Sequence, residues 1–203
     1  MRSRVAGSIF LSVALLLSAA AFLPAAEATD TVFLSQPAIS AGAIAYVYAG
    51  DLWTAAPDGT DPRRLTTGLG LEFNPFFSPD GRWIAFSAQY DGNTDVYLMP
   101  AGGGVPKRLT WHPYPDLVQG FGVDGKAVIF TSARNSFTGG WNNLFSIPLD
   151  GGFPQQFELP YVYRATFSPD GKRIAYNPLP DAFTQWKNYR GGRVSTISLY
   201  DLG

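Results

Sequence analysis

The chain has 203 residues, of which 46% are hydrophobic and 15% are charged, so it can bury a core and lacks the composition of a disordered polypeptide. Its formal net charge of -1 leaves no basic footprint for nucleic acid, and the absence of cysteine excludes disulfides and cysteine-ligated zinc. Aromatic residues make up 15% of the chain, and together with 22 glycines and 16 prolines they indicate short strands joined by tight turns.

The N-terminus has the pattern of a secretory signal peptide. Two arginines lie within the first four residues, residues 9–22 form an uncharged apolar run, and Ala26-Glu27-Ala28 provides an A-x-A cleavage pattern. An uncleaved membrane anchor is the alternative, since residues 5–26 could nearly span a bilayer. We predict a signal peptide over residues 1–28, export to the periplasm or the extracellular space, and no membrane attachment after cleavage.

The remaining residues, 29–203, repeat themselves. Asp-Gly pairs that begin at residues 80, 124 and 170 are 44 and 46 residues apart. Each is followed by an apolar run, of which Ile84-Ala85-Phe86 is the clearest. A second spacing of 11 residues recurs from Asp51 to Pro62, from Asp95 to Pro106 and from Asn143 to Pro154. A period of this length with four short strands per repeat is typical of β-propeller blades.

The residue types within the repeat have physical reasons. Phe77-Ser78-Pro79-Asp80-Gly81 predicts a tight turn, because proline presets φ, aspartate bonds its own backbone and glycine tolerates positive φ. The apolar runs predict strands buried on both faces between neighbouring blades. Alanine recurs at positions 45, 85 and 175, where a small side chain would let the facing blade approach closely.

These patterns predict an all-β fold, namely a β-propeller of four-stranded antiparallel blades with nearly four blades present. A closed ring needs at least four blades, and an open arc would leave strand edges exposed. We therefore expect the native polypeptide to continue beyond residue 203. The predicted blades lie at about 32–67, 70–111, 117–159 and 161–203, and the last of them is incomplete.

No catalytic, metal or cofactor site is predicted. His112 is the one histidine, and the chain has no G-x-S-x-G elbow and no phosphate-binding loop. Asp91-Gly92-Asn93-Thr94-Asp95 resembles a calcium loop only faintly, because no bidentate glutamate follows, so a hairpin turn is favoured. Basic residues recur before or within the predicted last strands, where they could bind peptide carboxylates or protect strand edges: Arg63, Arg64, Lys107 and Arg108.

The hairpin loop that follows the Asp-Gly pair is longer in the last repeat. Asp80 and Asp95 are 15 residues apart, whereas Asp170 and the equivalent Thr196 are 26 residues apart. Long loops with aromatic and cationic side chains are often functional, although packing over a blade edge is the commoner fate of such aromatic residues. The predicted peptide-binding residues in this loop are Trp186, Lys187, Tyr189 and Arg190.

The repeats resemble TolB-type propeller units, in which a Ser-Pro-Asp-Gly motif recurs. Over about residues 34–203 the chain resembles more closely the N-terminal six-bladed propeller of tricorn-type serine peptidases. The resemblance lies in a degenerate first repeat with Asp51-Leu52-Trp53, in Arg-Leu-Thr at 64–66 and 108–110, and in residues 186–192, which are similar to that family's W-K-x-Y-R-G-G segment.

The resemblance implies part of a six-bladed propeller that guides or filters peptides toward a serine peptidase domain located further along the same chain. The implied partners are peptide or protein substrates and the missing C-terminal domains, and a homo-oligomer remains open. The signal peptide departs from the family and predicts an exported member. Two alternatives remain: a non-enzymatic TolB-like interaction scaffold, and the propeller of a prolyl-oligopeptidase-type hydrolase.

Overall fold

A computed structural model describes residues 34–137, 140–180, 191 and 194–203, all of which belong to the unit Val32–Gly203. These residues form strands and turns only, so this part of the chain has no helix that could cross a membrane. The strands form four antiparallel sheets, and within each sheet consecutive strands are neighbours. The predicted fold class, an all-β propeller of antiparallel blades, is confirmed.

The four sheets follow one another along the chain. Sheet 1 contains β1 (Ser35–Ile39), β2 (Ile44–Tyr48), β3 (Asp51–Ala55) and β4 (Arg63–Arg64). Sheet 2 contains β5 (Glu72–Phe77), β6 (Trp83–Ala88), β7 (Asp95–Pro100) and β8 (Lys107–Arg108). Sheet 3 contains β9 (Asp116–Phe121), β10 (Ala127–Ser132), β11 (Asn143–Pro148) and β12 (Gln155–Gln156). Sheet 4 contains β13 (Arg164–Phe167), β14 (Arg173–Asn177) and β15 (Ser198–Asp201).

Neighbouring sheets pack face to face through three apolar clusters. Between sheets 1 and 2, Ala45 lies in one cluster with Phe86. Between sheets 2 and 3, Ala85 lies in one cluster with Phe130. Both alanines are fully buried, as expected for small side chains that let the next sheet approach. The equivalent Ala175 in sheet 4 is only half-buried, because no other sheet of the described residues covers that face.

The predicted Ser-Pro-Asp-Gly turn joins the first and second strands of a sheet. The Ser78 hydroxyl donates to Asp80 Oδ1 at 2.6 Å and accepts from the backbone N–H of Trp83 at 2.9 Å. Gly81 has φ 70°, a left-handed conformation that glycine adopts without steric cost. Ser168 and Asp170 make the same pair at 2.5 Å, so the sequence repeat is also a repeat of hydrogen bonds. The hydrogen bond from the Ser78 hydroxyl, together with those from the backbone and side chain of Arg82, lowers the pKa of Asp80 to about 2.

A buried carboxylate joins sheets 1 and 2. Glu72 opens β5 with only 2% of its surface exposed, and it accepts hydrogen bonds from three groups. The donors are the Leu52 backbone N–H at 3.0 Å, the Thr66 hydroxyl at 2.5 Å and the Tyr90 hydroxyl at 2.7 Å. Burial nevertheless raises the pKa of Glu72, because these donors only partly replace the lost hydration.

The start of β9 contacts sheet 2 through its backbone, whereas its buried carboxylate pairs within sheet 3. Asp116 opens β9, is fully buried and pairs with the guanidinium of Arg134, which lies 5.0 Å from the centre of the Phe130 ring. The Ser87 hydroxyl donates to the Asp116 carbonyl at 3.1 Å and accepts from the Val118 N–H at 2.8 Å. β5 and β9 are therefore each fixed to the preceding sheet by polar contacts near the start of the strand.

One arginine in each of β4 and β8 pairs with an acid of its own sheet. Arg64 pairs with Asp51 at 2.8 Å, and Arg108 pairs with Asp95 at 2.6 Å. Lys107 donates to the carbonyls of Leu149 and Asp150 in the next sheet. β4 and β8 are the last strands of their sheets, so these contacts fit the protection of strand edges better than a ring for peptide carboxylates.

The pKa of Glu72 generates a prediction about stability. The folded chain holds the Glu72 proton more tightly than the unfolded chain does. The free energy of unfolding of the wild type, relative to that of Glu72→Gln, should therefore be largest below about pH 4.5. As pH rises through the raised pKa, this relative stability should fall with a slope of at most about 1.4 kcal/mol per pH unit. Urea unfolding from pH 4 to 8 measures it, with Glu158→Gln at an exposed carboxylate as the control. A relative stability that rises with pH would contradict the account.

Candidate functional site

The first strands of the four sheets lie side by side. β1 contacts β5, β5 contacts β9, and β9 contacts β13, whereas each fourth strand pairs with the third strand of its own sheet. In a propeller the first strands surround the central channel. We call the surface formed by β1, β5, β9 and β13 the inner wall, and it is the candidate functional site.

Bulges interrupt three of these strands. The pairing register shifts between Ser35 and Ala38 in β1, between Phe73 and Phe76 in β5, and next to Gly120 in β9. Each shift places one extra residue in the first strand. A bulge frees backbone groups from the ladder and turns side chains toward a new direction, which is why bulges are common beside binding sites.

Left-handed residues make the bulges. Gln36 and Asn74 have φ near 50°, and each precedes a proline. Proline lacks a backbone N–H, and at a bulge no hydrogen bond of the strand ladder is lost because of this. Gly120 has φ 143°, a conformation that other residues rarely adopt. A Cβ added to Gly120 would lie 3.9 Å from the Phe76 ring, so the site has space for a methyl group and only the backbone requires glycine.

Glutamine side chains connect neighbouring first strands. The N–H of Asn74 donates to Gln36 Oε1 at 2.5 Å, and the N–H of Ala165 donates to Gln119 Oε1 at 3.4 Å. The amide nitrogen of Gln119 donates to the Thr131 hydroxyl at 3.1 Å. Gln119 is therefore held between sheets 3 and 4, with its amide on the inner wall.

Two adjoining grooves lie on the inner wall, with volumes of about 320 Å³ and 240 Å³. Both are lined by Phe76, Gln119, Ala165 and Thr166. The larger groove, called here the polar groove, is also lined by Arg164, by residues 175–177 of β14 and by Ile197, so it extends from the inner wall onto the face of sheet 4 that no other described sheet covers. The smaller groove, called here the apolar groove, is also lined by Phe121, Val123, Ile129 and Phe167.

The inner wall carries an uneven charge. Glu72 and Asp116 are the acidic residues of its strands, and both are buried in the junctions between sheets. Arg164 is the exposed charged residue of these strands, and its guanidinium lies 5.8 Å from the centre of the Tyr163 ring. The strands of the wall therefore combine amide groups, phenylalanine rings and an arginine, a set that suits contacts with a peptide.

Sequence reasoning did not identify this site. The predicted peptide-binding residues Trp186, Lys187, Tyr189 and Arg190 lie outside the described residues. The extra length of the last repeat falls between the second and third strands of sheet 4, after Asn177. Phe76, Gln119 and Arg164 had not been singled out. The sequence feature that could have indicated the inner wall is a proline or a glycine within an otherwise apolar strand, as at Pro75 and Gly120.

His112 has a structural environment. Its Nδ1 accepts a hydrogen bond from the Tyr114 N–H at 3.2 Å, and its carbonyl accepts one from the side chain of Asn93. Asp91, Gly92 and Asn93 belong to the loop between β6 and β7, where Asp91 pairs with Arg108. In the described ranges no group of three or more histidine, aspartate or glutamate residues is arranged to hold a metal ion.

Meander sheets packed face to face, with their first strands adjacent, define a β-propeller. The model of one family, described as the tricorn protease N-terminal beta propeller domain, matches residues 31–203, and the chain belongs to this family.

Two relatives and two solved structures show the extent of the similarity. The chain is 30% identical over 157 residues to Tricorn protease homolog 1 of Streptomyces coelicolor. This match covers 76% of this chain but only 14% of that protein. It is 27% identical over 176 residues to a Sulfurisphaera tokodaii protein whose name describes a Tricorn-like protease N-terminal subunit, covering 83% of this chain and 87% of that protein.

The crystal structure of the tricorn protease matches with a TM-score of 0.69 and 26% identity, over 82% of this chain and 17% of that chain. The crystal structure of TolB from Acinetobacter baumannii matches with a TM-score of 0.63 and 26% identity. The match covers 83% of this chain and 41% of that chain. The chain is thus a propeller of the kind found in tricorn-like proteases and TolB-like proteins.

The bulge in β9 generates a prediction. Gly120→Ala should lower the free energy of unfolding by about 1–3 kcal/mol, because alanine is strained at φ 143° although the groove has room for it. Gly42→Ala is the matched control, since an added Cβ there meets nothing within 4 Å. Chemical denaturation of both variants measures the effect, and equal stability of the two would show that the bulge is not strained.

Proposed function

We propose that this chain is the propeller of a tricorn-like serine peptidase that binds extended peptides on its inner wall and guides them toward a peptidase domain. The observation that carries the proposal is the pair of adjoining grooves beside the Gln119 amide. The chain supplies recognition in this proposal, and it hydrolyses no peptide bond by itself.

The chemistry of the wall suits an extended peptide. Successive side chains of an extended peptide point to opposite sides, so residues i and i+2 lie on one side about 7 Å apart. Two grooves that share Phe76 and Gln119 can receive two such side chains. The amide groups of the wall can pair with the peptide backbone between them, which gives affinity with little dependence on sequence.

We further propose that Trp186, Lys187, Tyr189 and Arg190 extend this binding surface. The segment that contains them follows Asn177, which lines the polar groove. Aromatic and cationic side chains at that end would add stacking and carboxylate contacts to a peptide already in the groove.

Peptide binding by the full chain tests the proposal. An unfolded casein-derived peptide should bind with a measurable Kd in calorimetry, and Gln119→Ala should weaken binding about threefold to tenfold by removing one amide contact. Gln156→Ala, at an exposed glutamine of the fourth strand β12, is the control and should leave the Kd unchanged. Absence of binding, or hydrolysis of the peptide by the chain alone, would refute the proposal.

A TolB-like interaction scaffold is the second candidate function, favoured by the signal-peptide pattern of residues 1–28 and by the similarity to TolB. A scaffold would bind a folded partner protein through exposed loops and would leave the inner wall empty. Competition distinguishes the two: a scaffold's partner would not be displaced by the casein-derived peptide.

We also propose that the chain is exported and cleaved after Ala28. Expression of the full chain in a bacterium should yield a protein in the envelope fraction whose N-terminal residue is Thr29, as determined by N-terminal sequencing. Substitution of Ala26 and Ala28 by arginine should block the cleavage, because the A-x-A pattern requires small residues. A chain that keeps Met1 and stays in the cytoplasm would contradict export.

A further inference from the structure

We propose that a groove between sheets 1 and 2, away from the inner wall, binds a lysine side chain of a partner protein. Its volume is about 510 Å³, which exceeds that of either groove on the inner wall. It is lined by residues 65–70 between β4 and β5, by Tyr90 after β6, and by residues 104–106 before β8. We call it the junction groove, and none of its lining residues belongs to a first strand.

The walls of the junction groove suit the aliphatic stem of a lysine. Its apolar lining residues are Leu65, Leu69, Val105 and Pro106. Leu69 and Val105 are exposed, so a ligand stem that covers them removes apolar surface of both partners from water. A lysine stem packs along apolar surface in this way while its ammonium group seeks a polar partner.

Tyr90 and Glu72 supply that polar partner at one end of the groove. The Tyr90 hydroxyl donates to Glu72 Oε1 at 2.7 Å, which leaves the lone pairs of the hydroxyl oxygen for a ligand N–H. Hydrogen bonding to a carboxylate polarises the hydroxyl and strengthens it as an acceptor. Gly68 lines the groove beside this pair, and a Cβ added there would lie 3.0 Å from Tyr90 Cε1 and 3.7 Å from Glu72 Oε1. The pair therefore adjoins a part of the groove wall that has no side chain.

Comparison with the next sheet shows that this end of the groove lacks a positive charge. Tyr90 and Arg134 occupy equivalent positions, two residues after the second strand of their sheets. Each donates to the buried acid that opens the first strand of its sheet, Tyr90 to Glu72 and Arg134 to Asp116. Asp116 thus has a guanidinium from the chain itself, whereas Glu72 has a neutral phenol. A lysine from a partner would supply the missing charge.

The surrounding charges have the sign that attracts a cation. Asp51 raises the pKa of Glu72 further, in addition to the larger effect of burial, and Arg64 is already paired with Asp51 at 2.8 Å. Arg63 and Lys107 flank the groove in sequence without lining it, and Lys107 donates to carbonyls of sheet 3. In the described part of the chain, no charged side chain lines the groove.

NMR titration of the full chain tests the proposal. The probe is acetyl-Gly-Ala-Lys-Ala-Gly-amide, and its matched peptide has norleucine in place of lysine, which keeps the aliphatic stem and removes the ammonium group. At pH 8 we expect the lysine peptide to bind about fivefold to tenfold more tightly than the norleucine peptide, as for a hydrogen bond between a charged ligand and the protein. The backbone signals that shift should belong to residues 65–70 and 104–106.

Two variants assign the preference for lysine. Glu72→Gln should abolish it, whereas Glu158→Gln, at an exposed carboxylate, should leave it unchanged. Tyr90→Phe should weaken binding of the lysine peptide and leave binding of the norleucine peptide unchanged. Tyr114→Phe is its matched control, because Tyr114 is a partly exposed tyrosine that does not line the groove.

The pH dependence of the wild type needs no variant that must fold. The preference for lysine should decline as the pH is lowered from 8 to 4.5, because burial raises the pKa of Glu72 and its carboxylate is then lost by protonation within this range. The lysine of the peptide stays charged throughout, so the decline reports on the protein.

Equal affinity for the two peptides, or a preference for lysine that persists in Glu72→Gln, would overturn the proposal. Absence of binding, or signal shifts confined to β9 and β13, would overturn it as well. The junction groove shares no lining residue with the two grooves of the inner wall, so its failure would leave the proposed peptide-guiding function standing.

Discussion

The structure depends on the burial of second and third strands between neighbouring sheets. A strand such as Ile84-Ala85-Phe86 presents Phe86 to the preceding sheet and Ala85 to the following one. Between sheets 1 and 2 and between sheets 2 and 3, a small alanine thus shares a cluster with a large aromatic side chain of the next sheet, which permits close packing. The stacking in turn brings the first strands side by side and creates the inner wall.

Polar contacts complete the junctions and determine the charge of the wall. Glu72 and Asp116 begin the first strands of sheets 2 and 3, and both are buried: Glu72 accepts hydrogen bonds from neutral donors, whereas Asp116 pairs with the Arg134 guanidinium. The inner wall consequently carries amide groups and one arginine but no exposed carboxylate in the described part of its strands.

Much of the fold could be predicted because its causes are local or periodic. The Ser-Pro-Asp-Gly turn closes through contacts within five residues, so its sequence determines its structure. The alanine at positions 45 and 85 indicated close sheet packing, since only a small side chain fits there. The period of the Asp-Gly pairs predicted repeated sheets before any contact was known.

The site could not be predicted in the same way. A bulge adds one residue to a strand and leaves no compositional trace beyond Pro75 or Gly120. The contact of Gln119 with Ala165 joins residues 46 positions apart, and it depends on how two sheets stack. The basic residues of β4 and β8 had two interpretations in the sequence, and for Arg64 and Arg108 only the pairing with Asp51 and Asp95 distinguishes these.

Hydrogen–deuterium exchange of the full chain, with and without a saturating extended peptide, tests the central claim most directly. A peptide on the inner wall should slow exchange in residues 116–121 and 164–167, which form β9 and β13, and leave the fourth strands β4, β8 and β12 unchanged. Slower exchange confined to the fourth strands, or to the turns that precede them, would place binding on the outer edge and contradict a peptide-guiding inner wall.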